Sequence, residues 1–286
     1  MKTMLKKNLV KTGFFFLIMP VTGINGEPKT SQFAIKTENY LFLNRMDTSI
    51  SSRLDSITII ASTSTGFAKK IADAPKIQLN KHATKYVKSF LIREEEALTK
   101  VQARSKSYFR IIDTVFTQYN LPLELKYLAI IESDLKTSAV SKVGAKGMWQ
   151  FMPQTARELG LKVTKNYDER KHVYKSTVAA AKYLKDLYAE FGDWLLVLAA
   201  YNGGPGTVYK AIKKSGSRNF WALQSFLPEE SRGHVKRFIG THYFFEGEGG
   251  LTTLTKSETI NYLKALDAFK LTETVSDSTS VVVNSK

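Results

Sequence analysis

"YLAIIESDL", residues 127–135, is the stretch on which the reading of this chain turns. At helical spacing Leu125, Leu128 and Glu132 fall on one face, with Ala129 beside them. A carboxylate on an apolar face is expensive to bury unless it is solvated, paired or held there for a purpose. Glu132 also sits in the last turn, at the negative end of the helix dipole. Dipole and apolar neighbours both favour the acid over the carboxylate, as a general acid requires. The plain alternative is a glutamate pointing into water at a frayed helix end.

Two further stretches bear on that choice. "GAKGMWQFMP", residues 144–153, sets Gly144 and Gly147 ahead of Met148, Trp149, Gln150, Phe151 and Met152. Glycines permit tight backbone and close approach of a ligand. Gln150 offers a donor and an acceptor among apolar side chains, a mixture suited to sugars. Trp149 and Phe151 are expected in the core, with Gln150 and Met152 alternating towards a cleft. "AAYNGGPG", residues 199–206, then places Tyr201 and Asn202 at a helix end before a glycine-rich turn. Read alone, it is an ordinary helix C-terminus with proline beyond it.

The surrounding chain has helical periodicity from about residue 80. Val87, Phe90, Leu91 and Leu98 mark one helix, and Phe109, Ile112, Val115 and Phe116 a second, from about Ser107 to Tyr119. Asn120-Leu121-Pro122 closes that helix and opens the one bearing Glu132. Later helices are expected at Pro153–Leu159, Ser176–Phe191, Trp194–Tyr201, Thr207–Lys214 and Glu229–Phe245. Thr255 and Glu258 have capping-box spacing before a last short helix, and the tail from Leu271 reads as frayed. The fold class is mainly α, compact from about residue 80 to 245.

Composition bounds the setting. The 286 residues are 43% hydrophobic, enough for a real core, and contain no cysteine. That rules out disulfides, thiolate metal sites, a cysteine nucleophile and a lipid-modified cysteine. Lys2, Lys6, Lys7 and Lys11 precede a short apolar run from Gly13 to Val21 and small residues up to Gly26. This is the pattern of an export signal over 1–26, with too few apolar residues to span a bilayer. Residues 27–78, rich in Ser, Thr and Lys, read as a weakly ordered N-terminal extension. The net charge is +16. It falls by four once the leader lysines are removed, and favours an anionic surface such as an envelope. The four histidines show no ligand spacing, so no metal or cofactor is expected. Aromatics are not interleaved with the basic residues and no nucleic-acid motif is present, so no nucleic-acid partner is expected.

Taken together, the three stretches resemble the family 1 soluble-type lytic transglycosylases, most closely their membrane-bound D-like branch. That family's pattern is Glu-Ser, then Gly-x-x-Gly-(Leu/Met)-(Trp/Met)-Gln-(Phe/Ile)-Met-Pro, then Ala-Tyr-Asn-(Ala/Gly)-Gly. Here it is met by Glu132-Ser133, Gly144 to Pro153 and Ala200 to Gly204, in the same order. The resemblance extends from about residue 75 to 254. It implies a lysozyme-like (goose-type lysozyme/transglycosylase) helical domain over 105–245. A leading helix region at 79–104 would precede that domain, and a C-terminal helix and tail at 246–286 would follow.

The resemblance also implies the chemistry. Glu132 would be the acid/base that cuts the β-1,4 bond between N-acetylmuramic acid and N-acetylglucosamine in peptidoglycan, giving a 1,6-anhydromuramoyl product. Ser141, Gln150, Met152, Tyr201, Asn202 and Glu230 would meet the substrate. Peptidoglycan glycan strands would be the partner, in the periplasm or cell envelope, without a lipid anchor. The family has tyrosine in a Glu-Thr-x-x-Tyr-Val element where this chain has His234, so that tyrosine's contact is not carried over. Two other readings fit the same residues. A goose-type muramidase would use water and leave reducing ends, and a non-catalytic wall-binding protein would leave the glycan uncut.

Overall fold

In the computed structural model, residues 75–283 are described, with side chains described as far as Phe269. The leader and most of the extension read from the sequence lie outside them.

The frame is set by α1, Lys81–Gln118, a single helix of 38 residues. It replaces the two helices expected from the sequence. The segment from Lys100 to Ser107 is polar, but it contains neither proline nor glycine, and Val101 and Ser105 carry the buried stripe across it. A domain start at residue 105 would fall inside this helix. A 3₁₀ turn, Leu123–Lys126, leads into α2, Tyr127–Ser133. A long loop follows, then α3, Pro153–Glu158, with proline at its start. A second 3₁₀ turn, Glu169–Lys171, precedes α4, Val173–Phe191, and α5, Trp194–Gly203. Next come α6, Pro205–Ser215, the short α7, Phe220–Leu223, and α8, Glu229–Glu246. The last helix, α9, runs Lys256–Val283. It is a long helix where the sequence suggested a short one and a frayed tail.

Among the described residues no strand forms. The only ladder-like pairings are isolated antiparallel bridges, Val140 with Lys146, Lys146 with Phe151, and Val163 with Asp168. The expected mainly α class holds.

Helix α5 is the axis of the fold. Its sequence from Trp194 to Ala200 is apolar on every side and fully covered, as a helix without a polar face must be. Helices α4, α6 and α8 pack around it, and α1 lies across α4 and α8. At Gly240 the α1–α8 approach is so close that a Cβ would stand 2.4 Å from the Phe90 ring.

Polar groups pin the helix starts. Asp193 Oδ1 accepts from the N–H groups of Leu195 and Leu196, and its Oδ2 accepts from Lys256 N at 2.7 Å, so one carboxylate caps α5 and α9 together. The capping box expected at α9 is present: Glu258 Oε2 accepts from Thr255 N and Thr255 Oγ1 accepts from Glu258 N. Asn80 Nδ2 donates to Glu258 Oε1, tying the start of α1 to the start of α9.

Candidate active site

Helix α2 delivers Glu132 and then stops abruptly. Asp134 and Leu135 both adopt left-handed backbone, φ +53° and +62°, which costs a non-glycine residue about 1 kcal/mol or more each. The cost is offset by burying Leu135 and by a bond from Arg104 Nη2 to Asp134 O at 2.8 Å. Asp134 itself faces solvent and pairs with Lys136. Ser133, on the opposite side, is buried and donates to Met148 O at 2.8 Å, so the residue after Glu132 ties α2 to the following loop.

That loop, 136–152, is held from below by one arginine. Arg170 Nη1 donates to Gly144 O and Phe151 O, both at 2.9 Å, while its Nε and Nη2 donate to Asp168. The Arg170 guanidinium and then Lys146 hold the Asp168 carboxyl well below the usual carboxylate range. Gly147 is required here. Its φ is +85°, and a Cβ would stand 1.9 Å from Arg170 O. Trp149 and Phe151 go into the core as expected, and Trp149 Nε1 donates to Thr177 Oγ1.

The site residues read from the sequence fall into two groups. Glu132, Tyr201 and Asn202 are brought together. Tyr201 Oη donates to Trp149 O at 2.9 Å; burial, and then the Glu132 carboxylate, raise its phenol far above its ordinary value. Asn202 Oδ1 accepts from Ser231 Oγ at 3.0 Å. The second group builds the loop. Ser141 Oγ accepts from Ala145 N at 2.9 Å, and Gln150 Nε2 donates to Gly147 O at 2.7 Å. Gln150 has φ +50°, so its side chain braces the strained turn it sits in. Met152 is half-buried at the head of α3, and Glu230 is exposed in the first turn of α8.

Sequence reasoning missed the contact that matters most to Glu132. His234 Nε2 lies 2.8 Å from Glu132 Oε1, with side-chain exposures of 2% and 14% respectively. It also missed Ser133 and Ser231, the polar ties beside the site. The signal was present: Ser231, His234, Val235, Phe238, Ile239 and His242 lie on one face of α8, so polar residues occupy apolar-face positions.

Residues 112–224 match the family described as Transglycosylase SLT domain. That segment is similar to SLT transglycosylase domains. Membrane-bound lytic murein transglycosylase D of Escherichia coli K12 is 40% identical to it over 153 residues, covering 52% of this chain and 33% of that protein. Peptidoglycan transglycosylase gp16 of Escherichia phage T7 is 36% identical over 117 residues, covering 40% of this chain and 9% of that protein. Among solved structures, the 70 kDa soluble lytic transglycosylase of Escherichia coli aligns at 26% identity with a TM-score of 0.44, covering 51% of this chain and 26% of that one. The chain thus spans about a third of the length of the first of these relatives. The SLT match takes in Glu132, the glycine loop, Tyr201 and Asn202. It ends before α8, so His234 and Ser231 complete the site from outside it.

No helix among the described residues is long and apolar enough to cross a membrane.

Proposed function

We propose that this protein is a peptidoglycan lytic transglycosylase in which Glu132 acts first as acid and then as base. The observation that carries the reading is Glu132 itself. Its carboxyl is mostly buried, partnered on one oxygen, and close to Tyr201, which Asn202 follows at the end of the buried helix α5. Proteins 40% and 36% identical to parts of the chain are named as transglycosylases of murein or peptidoglycan, which supports the reading.

The protonated carboxyl gives its proton to the glycosidic oxygen between N-acetylmuramic acid and N-acetylglucosamine, and the C1–O bond breaks with oxocarbenium character. The muramoyl C6 hydroxyl then bonds to C1 and returns its proton to the Glu132 carboxylate. Water is not consumed, and the product is a 1,6-anhydro sugar. A hydrolase of the usual kind works with two carboxylates flanking the bond. Three other carboxylates do not offer a second one: Asp168 is held by Arg170 and Lys146, Asp134 faces solvent, and Glu230 is exposed. One working carboxyl suits ring closure by the substrate's own hydroxyl.

In this reading Ser141, Gln150, Met152, Tyr201, Asn202 and Glu230 border the glycan. Residues 1–26 direct export to the periplasm or envelope, and the net positive charge favours the anionic wall. The test is mass spectrometry of muropeptides released from purified peptidoglycan by the protein and by Glu132→Gln. Products one water lighter than hydrolytic ones, absent with the variant, are the expected result. Full-mass products would make it a muramidase, and release by Glu132→Gln would remove Glu132 from the chemistry.

A further inference from the structure

His234 is the buried titratable group that the reaction above does not use. Nε2 lies 2.8 Å from Glu132 Oε1. On the far side of the ring, Nδ1 is buried and has no partner. The asymmetry decides where the ring proton sits. An orphaned buried N–H is rarer and costlier than an unused lone pair, and Nε2–H donating to a carboxyl oxygen is a strong bond. The hydrogen-bond accounting therefore selects the tautomer with the proton on Nε2.

We infer that His234 is the positioning residue of the reaction, its Nε2–H holding Oε1 of Glu132 throughout the cycle so that Oε2 alone carries the working proton. The inference rests on Glu132 being the acid/base. A carboxyl accepts through Oε1 both when neutral and when ionised, so the bond survives each half-step without rearrangement. As the proton leaves Oε2 for the glycosidic oxygen, negative charge develops against a donor already in place. When the C6 hydroxyl proton arrives at Oε2, that charge disappears and the same bond weakens.

The neighbours leave this role to His234. Tyr201, which faces Glu132 from α5, has its hydroxyl committed to Trp149 O. On α2, Tyr127 is buried but its hydroxyl donates to Glu246, and the following Asp134 turns out to Lys136. On α8 itself Arg232, Lys236 and Arg237 flank the histidine. Burial lowers Lys236, and Tyr86 of α1 lies near both Arg237 and Arg93. One turn before His234, Ser231 Oγ holds Asn202 Oδ1, so a single face of α8 fixes both the acid and the residue beside it.

The experiment compares wild type, His234→Leu, His234→Gln and Glu132→Gln on solubilised glycan strands across pH, with 15N NMR of the His234 ring. In His234→Leu, kcat should fall about 100-fold with KM changed less than about threefold. Glutamine places an N–H where Nε2 stood, so His234→Gln should recover kcat to within about tenfold of wild type. The ring should show the Nε2–H tautomer.

A His234→Leu protein within about threefold of wild type in kcat would overturn the inference while leaving Glu132→Gln inactive and the catalytic reading intact. So would a folded His234→Gln no better than the leucine variant, which would assign the residue to packing. Should His234→Leu not fold, an Nδ1–H tautomer in the wild-type ring would overturn it independently. Activity retained by Glu132→Gln would bring down both readings together.

Discussion

Asp193→Ala removes three bonds with one substitution. The Asp193 carboxylate accepts from Leu195 N at 2.9 Å, Leu196 N at 3.3 Å and Lys256 N at 2.7 Å, and the residue is 4% exposed. Losing an N-cap costs about 1–2 kcal/mol, and leaving the partly buried Lys256 N–H unpaired adds about 1–2 more. The variant should therefore be about 2–4 kcal/mol less stable, a fall of roughly 4–16 °C in Tm for a domain of this size.

The pH dependence has a definite sign. Burial pushes the Asp193 carboxyl up to about 6 against the donors that favour its charge. A group raised in the folded state contributes stability that is present below its unfolded value and lost as pH rises through the folded one. Wild type should thus lose about 3 kcal/mol from this group between about pH 3 and 7, whereas Asp193→Ala should not. Urea unfolding followed by tryptophan fluorescence at several pH values measures both effects, since Trp194 adjoins the cap. A cost below about 1 kcal/mol, or one that grows with pH, would refute the reasoning. The second outcome would mean that the three N–H donors outweigh burial.

Two other perturbations follow from the same accounting. Gly147→Ala combines a left-handed φ with a Cβ driven 1.9 Å from Arg170 O, so it should cost about 3 kcal/mol or more and reduce glycan cleavage at least 100-fold; a melting curve within 2–3 °C of wild type would contradict this. Burial holds His242 down to about 4, with Glu246 the carboxylate acting most on it. Being depressed, it should withdraw about 3 kcal/mol of stability as pH falls from 6.5 through 4, opposite in sense to Asp193. His242→Leu should flatten that limb, and an unchanged acid limb in the variant would count against it.

Much of this molecule was legible before any coordinates. Periodicity located every helix that carries the site, because an apolar stripe at helical spacing is a burial requirement. Trp149 and Phe151 were placed inside as large aromatics of a loop that tucks them into the core. The errors have physical causes. The α1 boundary was misread because a polar run resembles a linker when, as here, nothing in it can break a helix. The strained turn at Gln150 was not legible either, because a non-glycine residue at φ +50° leaves no mark in the sequence. The His234 contact joins residues 102 apart in sequence, and no local pattern encodes a pairing at that distance. What the sequence offered was a histidine at an apolar-face position of α8, which announces a buried partner without saying which.

That separation of 102 residues has a consequence for how the chain comes into being. Synthesis delivers Glu132, the glycine loop, Tyr201 and Asn202 well before α8, so a growing chain holds every motif of the matched segment while Glu132 still lacks its imidazole. A fragment ending at residue 224 would look complete by its motifs and be incomplete by its chemistry. The acid gains its partner only when α8 docks along α1 and α5, which makes that partnership an outcome of finished folding.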